Sequence, residues 1–466
     1  MDKRVIRIMK KDYIIWATII LLDIILVYFV PNTFDNGDSV KHYIEAHQAW
    51  HTPHYFLDMW SKPIFILLAS PFASLGWWGI KLFNIICVLL SSFLMKKIFE
   101  EYDLNGWWGV FMSLLAHTFF LSQSSGLTEP LFAVSLTAIV YLEIKNRSLI
   151  AMLLLSFLPF IRSEGYVVAV VILIYLIFTK KFKFIPYLLI GHLIYGVVGL
   201  FAFGDFLWMF HENPYAGIEL KYGSGDILHF INQLPFVVGL PIYVLFFLGV
   251  IHGGIRFFKG KMEVKEFILI YGITIGYIAA HSIFWRYGLF HSFGLSRVLI
   301  AIIPLMSFIA YRGLEWLVCS LYFIPKKYIY FTFILVIAGF PFIKNKMAID
   351  WEKDIELSAE QKLIQDANTW LVEHPDIHSK PIYTNLFYYA QVSDKLIDND
   401  KQVHTIDLLK QPSHTPKSGA FILWDSYFAP TDAEVDKPLL EKTLEAQEIK
   451  RFTNTDGFQL VIYQLP

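Results

Sequence analysis

Residues 13–30 read YIIWATIILLDIILVYFV, eighteen positions with a single charge, Asp23. An apolar run of that length crosses a hydrocarbon core of ~30 Å as a helix. The preceding segment, Met1 to Asp12, is basic, so the pair could pass for a signal peptide, but no small-residue cleavage site follows. A retained first helix is therefore expected. Working outward, further apolar runs lie near 79–96, 107–123, 129–144, 148–162, 165–179, 184–203, 234–255, 266–285, 297–313 and 327–343. The chain is 56% hydrophobic and 17% charged, with a mean hydropathy of +0.49. Soluble domains carry about a quarter charged residues. The expected class is an α-helical polytopic membrane protein with about eleven transmembrane helices.

The basic interruptions fall on alternate sides when these spans are threaded. They are Lys3 to Lys11, Lys96–Lys97, Lys145 to Arg147, Lys180 to Lys183, Arg256 to Lys265 and Lys326–Lys327. The positive-inside rule then places the N-terminus in the cytoplasm and the C-terminal end outside. The longer loops 31–78, 204–233 and 286–296 all fall on the outer face, where the chemistry is expected. Segment 314–325 is short and mixed, and is expected to lie at the interface before the last helix. The two cysteines, Cys87 and Cys319, sit in apolar runs and argue for neither a disulfide framework nor a cysteine metal site.

Charge divides the chain. Residues 1–343 carry 26 Lys/Arg against 20 Asp/Glu, whereas residues 344–466 carry 13 against 20. The tail, 344–466, is expected to be a separate soluble α/β domain. Ser358 to Glu373 has helical periodicity with a Ser-x-x-Gln start like a capping box. Pro381 to Asn385, Ala420 to Trp424 and Gln459 to Gln464 read as strands, and Pro438 to Arg451 as a helix. No phosphate-binding glycine loop, internal repeat or low-complexity run occurs.

The first outer loop, 31–78, holds Phe34-Asp35-Asn36-Gly37-Asp38-Ser39-Val40-Lys41-His42-Tyr43. Asp35 and Asp38 thus follow the first helix closely, near headgroup depth. Partial desolvation there raises a carboxylate's basicity and suits it to take a proton from a hydroxyl; alternatively the loop is solvated and Asp38 caps the helix that follows. Lys62, in Trp60-Ser61-Lys62-Pro63, either neutralises a phosphate or snorkels. Glu129 in Gly126-Leu127-Thr128-Glu129-Pro130, and the Arg162-Ser163-Glu164-Gly165 break, put ionisable groups at outer helix ends. They are either caps and an internal ion pair or holders of a polar ligand.

Arg286 and Arg297, with His281 and His291 nearby, offer guanidiniums to a phosphate or to lipid headgroups. The segment His211 to Gly217, followed by Tyr222 to Gly225, mixes rings and hydrogen-bonding groups in a way that suits either a sugar or a turn-rich connection. Asp23 is expected to make a buried pair or hydrogen bond. The histidines form no metal-binding spacing.

Asp38 with Tyr43, Ala46, Trp50 and Pro53, then Lys62-Pro63 some 24 residues beyond Asp38, resembles the first outer loop of the GT-C membrane glycosyltransferases. Protein O-mannosyltransferases and the bacterial aminoarabinose transferases that modify lipid A show the nearest pattern. Glu129 at a helix start and Arg297 opening a late helix extend the likeness to about residue 345. The chain departs from it in having Asp-Ser at 38–39, where Asp-Glu is common, and a single Lys-Pro at 62–63.

The resemblance implies a cell-envelope glycosyltransferase that moves a sugar, with inversion, from a polyprenyl-phosphate carrier to an acceptor hydroxyl on a glycan, lipid or protein. It implies Asp38 as base with Asp35 as the second acid, Lys62 and Arg297 on the donor phosphate, and His42, Tyr43, Glu129, Arg162 and Glu164 around the substrates. The expected location is a bacterial inner membrane, with residues 1–343 catalytic and 344–466 periplasmic. No cofactor is expected; a divalent cation held by Asp35, Asp38 and Glu129 is possible in principle but not favoured, because two basic side chains offset a monophosphate. Other classes remain open: a transporter or flippase of lipid-linked sugars, a glycan polymerase or ligase using a diphosphate donor, or a non-catalytic scaffold.

Overall fold

The computed structural model describes residues 3–214, 223–393, 395, 403–411 and 414–466. Among the described residues, five helices are long and apolar enough to cross a membrane: Trp77–Glu101, Phe182–Phe203, Leu240–Phe258, Glu266–Tyr287 and Ser296–Ser320. The chain is an integral membrane protein. Shorter apolar helices, Pro63–Ala73, Ser148–Phe160 and Gly165–Phe178, pack among them. The first helix, α1 (Lys3–Tyr28), lies against the Trp77–Glu101 helix, with Val27, Ile85 and Leu89 buried between the two. Within it, Asp23 accepts a hydrogen bond from Gln123 Nε2 at 3.2 Å, the pairing that a charge in an apolar run demands.

Several expected segments have different limits, the run expected over 107–123 among them, which is broken between Leu114 and His117. The run expected over 234–255 is split into His229–Val238 and Leu240–Phe258, because Gly239 adopts φ +83° between them. That backbone conformation favours glycine and breaks the helical ladder. Segment 314–325 is not an interfacial stretch throughout: the helix runs on to Ser320, with Leu314 and Val318 buried. Its polar positions are absorbed by partners, Arg312 bonding Glu315 at 3.0 Å.

The first outer loop folds into α2 (Asp38–Gln48) and the apolar α3 (Pro63–Ala73), then enters α4 (Trp77–Glu101). Beyond residue 343 comes a five-stranded sheet of order β2-β1-β3-β5-β4, with β1 (Ile382–Tyr383), β2 (Val403–His404), β3 (Phe421–Asp425), β4 (Gln447–Thr453) and β5 (Gln459–Gln464). β1 runs parallel to β2 and β3, and β5 runs antiparallel to β3 and β4. The Ala359–Val372 helix begins with the expected capping box, Ser358 and Gln361 bonding reciprocally.

The helix expected over Pro438 to Arg451 is corrected. The helix ends at Thr443, and from Gln447 the chain is β4, an exposed edge strand. Solvent on both faces of β4 removes the alternation that marks a strand. Its charges, Glu448, Lys450 and Arg451, are the kind that keep an edge from pairing further.

Candidate active site

The site is built where α2 starts. Asp35 turns its Oδ1 toward the Gly37 and Ser39 amides, at 3.0 and 2.9 Å, and so caps the helix. The alternative given to Asp38 therefore belongs to Asp35: the Asp38 carboxylate points away from the turn and pairs with Arg297 Nη2. Arg297 Nη1 pairs with Asp35 Oδ2, so one guanidinium bridges both aspartates. Ser39 Oγ accepts from the Gly126 amide at 2.8 Å, and a Cβ on Gly126 would lie 2.2 Å from the Ser39 carbonyl oxygen. Only glycine lets α2 sit this close to the turn that precedes Glu129.

Glu129, fully buried at the start of its helix, lies 2.9 Å from Arg162 Nη1 and 3.6 Å from Arg297 Nε. Arg162 also donates to Thr128 Oγ1 at 2.8 Å and, through Nη2, to Glu164 Oε1 at 2.7 Å. Lys62 is buried and donates to Ser163 Oγ at 2.9 Å. Its backbone holds φ +74° immediately before Pro63, a conformation that a lysine adopts only under strain. Asp58 secures the turn, its Oδ1 accepting from the Trp60 and Ser61 amides at 2.8 and 2.6 Å. Asp35, Asp38, Lys62, Glu129, Arg162, Glu164 and Arg297 thus come together from four separate segments.

Electrostatics separates these groups. Burial pushes the Asp35 carboxyl up, and Arg297 only partly offsets this. Burial acts on Asp38 too, but the charges of Arg297 and Lys41 outweigh it and hold the carboxyl below its usual range. The raised basicity expected of desolvation therefore falls to Asp35 while Asp38 is bound to Arg297. Burial pulls the Lys62 ammonium down to about 8, against the attraction of Glu164. Burial likewise drops His42 to about 3, leaving a neutral ring packed between Trp60 and Phe65, at centroid distances of 4.8 and 5.5 Å. Tyr43 packs edge-on against Trp77.

No protein-family model matches the chain, and no curated protein matches its sequence. Its fold does match solved structures. ArnT from Cupriavidus metallidurans bound to undecaprenyl phosphate has a TM-score of 0.59 at 9% identity, covering 97% of each chain. The same protein in its apo state has a TM-score of 0.59 at 10% identity, covering 98% of each chain. The chain has the ArnT fold. The likeness to ArnT spans both the helical part and the tail, and it is the architecture that the first-loop motif pointed to.

Arg286 and His291 are not part of the cluster, whereas His281 borders it. Exposed Arg286 reaches only the Gly225 carbonyl, at 3.5 Å, while buried His281 lies 3.9 Å from Glu164. His291 makes no contact with the carboxylates given for the cluster. Of the loop 211–225, residues 215–222 lie outside the described residues. Sequence reasoning passed over Thr128 and Ser163, the hydroxyls that receive Arg162 and Lys62; each lies beside a charged residue that had already drawn attention. Among the described residues, no group of three His, Cys, Asp or Glu is placed to hold a metal ion.

Proposed function

We propose that the chain transfers a sugar from a polyprenyl-phosphate-linked donor to an acceptor hydroxyl at the outer face of the membrane, with inversion. The observation that carries this is the Arg297 guanidinium shared by Asp35 and Asp38, in one cluster with the buried Lys62. The ArnT fold supports it, one ArnT structure being bound to undecaprenyl phosphate. Without donor, Arg297 keeps Asp38 a weak base. A donor phosphate competes for that guanidinium, and freeing Asp38 restores its basicity. Asp38 then takes the acceptor proton as the hydroxyl oxygen attacks the anomeric carbon. The bond from that carbon to the phosphate oxygen breaks, and its electron pair leaves on polyprenyl phosphate, whose charge Lys62 and Arg297 stabilise.

Glu129, Arg162 and Glu164 shape the pocket in this proposal, while His42 and Tyr43 back α2 from its packed side. The acceptor is a glycan, lipid or protein. No divalent cation takes part, so full activity is expected in excess chelator; loss restored by manganese would refute that. The topology proposed with it has eleven crossings, residues 1–343 forming the catalytic part in a bacterial inner membrane, the N-terminus cytoplasmic and residues 344–466 outside. Labelling of single cysteines placed at residues 103 and 454 checks it, with only the second expected to react from outside.

The deciding experiment offers a panel of polyprenyl-phosphate sugars to the purified protein in lipid, wild type against Asp38→Asn. Sugar released or transferred from one donor by the wild type alone is the expected result. Equal turnover by both forms would remove Asp38 from the mechanism, and tight binding of a donor by both without turnover would favour transport.

A further inference from the structure

The loop bearing Asp35 and Asp38 is held from the far end of the chain. Asn32 Nδ2 donates to the Lys353 and Glu356 carbonyls, at 3.0 and 2.8 Å, and the Asn32 amide donates to the Ile355 carbonyl at 3.2 Å. Gln361 Nε2 donates to Thr33 Oγ1 at 2.6 Å, and the Thr33 hydroxyl in turn donates to the Asp35 carbonyl, also at 2.6 Å. Thr33 and Gln361 are both fully buried and Asn32 nearly so, which makes these bonds costly to lose. The Gln361 side chain is itself fixed, its Oε1 accepting from the Ser358 amide at 3.0 Å. A relay of bonds therefore runs from the capping box of the tail helix, through Thr33, to the backbone of Asp35. From there Asp35 Oδ1 holds the first turn of α2, on which Asp38 stands.

The geometry points to Thr33 and Gln361 as positioning residues, through which the tail fixes the Asp35–Asp38 pair. This rests on the proposed transferase reading for its kinetic arm alone. Neither residue touches the cluster of cations, so neither changes how a donor phosphate is held. What they set is the aim of the two carboxylates, and small errors in aim reduce turnover more than binding.

Three substitutions separate positioning from folding. Thr33→Val keeps the shape and removes both bonds, whereas Thr33→Ser keeps the hydroxyl. Gln361→Glu keeps the acceptor oxygen of the capping box and loses the donor to Thr33. Hydrogen exchange at the Gly37 and Ser39 amides is expected to quicken about tenfold in Thr33→Val and Gln361→Glu, and to remain at the wild-type rate in Thr33→Ser. With a donor that the wild type uses, kcat is expected to fall about tenfold or more in the first two, with the donor KM within about twofold, and to recover in Thr33→Ser. Unchanged exchange in Thr33→Val and Gln361→Glu overturns the proposal whatever the reaction. Quickened exchange with unchanged kcat overturns it as well. If the wild type transfers nothing from any donor, the transferase reading fails, and the exchange arm still decides whether the tail holds the loop.

Discussion

The two ends of the helix bundle each bury an arginine–carboxylate network, and the networks are built in opposite ways. At the end carrying the basic loops, Glu266 is almost fully buried between two arginines. Arg256 bonds both its oxygens, at 2.6 and 3.0 Å, and Arg312 approaches them at 3.1 and 3.4 Å. One carboxylate thus receives four donors. At the tail end, Arg297 is divided among Asp35, Asp38 and Glu129, its buried Nε makes no hydrogen bond among the described residues, and Lys62 is held in a strained backbone. A satisfied network locks helices together. One with competing carboxylates and stored strain is poised to rearrange when an anion arrives.

The contrast can be broken most sharply at Asp38. Asp38→Asn is expected to lower transfer by roughly 10²–10⁴-fold while the thermal midpoint in lipid stays within a degree or two of the wild type. The mirror experiment is Glu266→Ala, which takes away the carboxylate that Arg256 pairs with and leaves Arg312 with Glu315 alone; it is expected to cost about 3–5 kcal/mol of stability, read by thermal melting, with little change in turnover per folded molecule. An active-site defect in Glu266→Ala without destabilisation would erase the distinction between the two ends.

A pH profile sharpens it further. Lys62 loses its proton as pH rises through about 8, so kcat/KM for the donor is expected to fall on the alkaline side with an apparent pKa near that value. Lys62→Arg, which stays charged, is expected to move that limb above the measurable range. The smallest effect is expected from Lys62→Gly, which accepts the positive φ and loses a buried charge. A gain of about 1 kcal/mol in stability should accompany weaker donor binding. Loss of stability in that variant would mean that the backbone there is not strained.

The membrane class and the site's charged members were legible because a charge is expensive next to an apolar run and so stands out. Asp35, Asp38, Lys62, Glu129, Arg162, Glu164 and Arg297 were all visible on that ground. What could not be read was their partnership: that Arg297 spans both aspartates depends on segments about 260 positions apart. Asn32 and Thr33 gave no signal, since uncharged polar residues in polar stretches are ordinary, and Gln361 was readable only as the glutamine of a capping box. In the tail the buried strands β3 and β5 were readable from their apolar runs, whereas exposed β4 offered only helix-like composition.

Thr33 and Gln361 lie 328 positions apart in the order of synthesis. A ribosome finishes the carboxylates of the first loop long before it makes the glutamine that holds them. A nascent chain interrupted before residue 361 therefore carries its acids into the membrane without their final arrangement. On the proposed transferase reading, such a half-made chain is expected to turn over its donor poorly until the tail is in place.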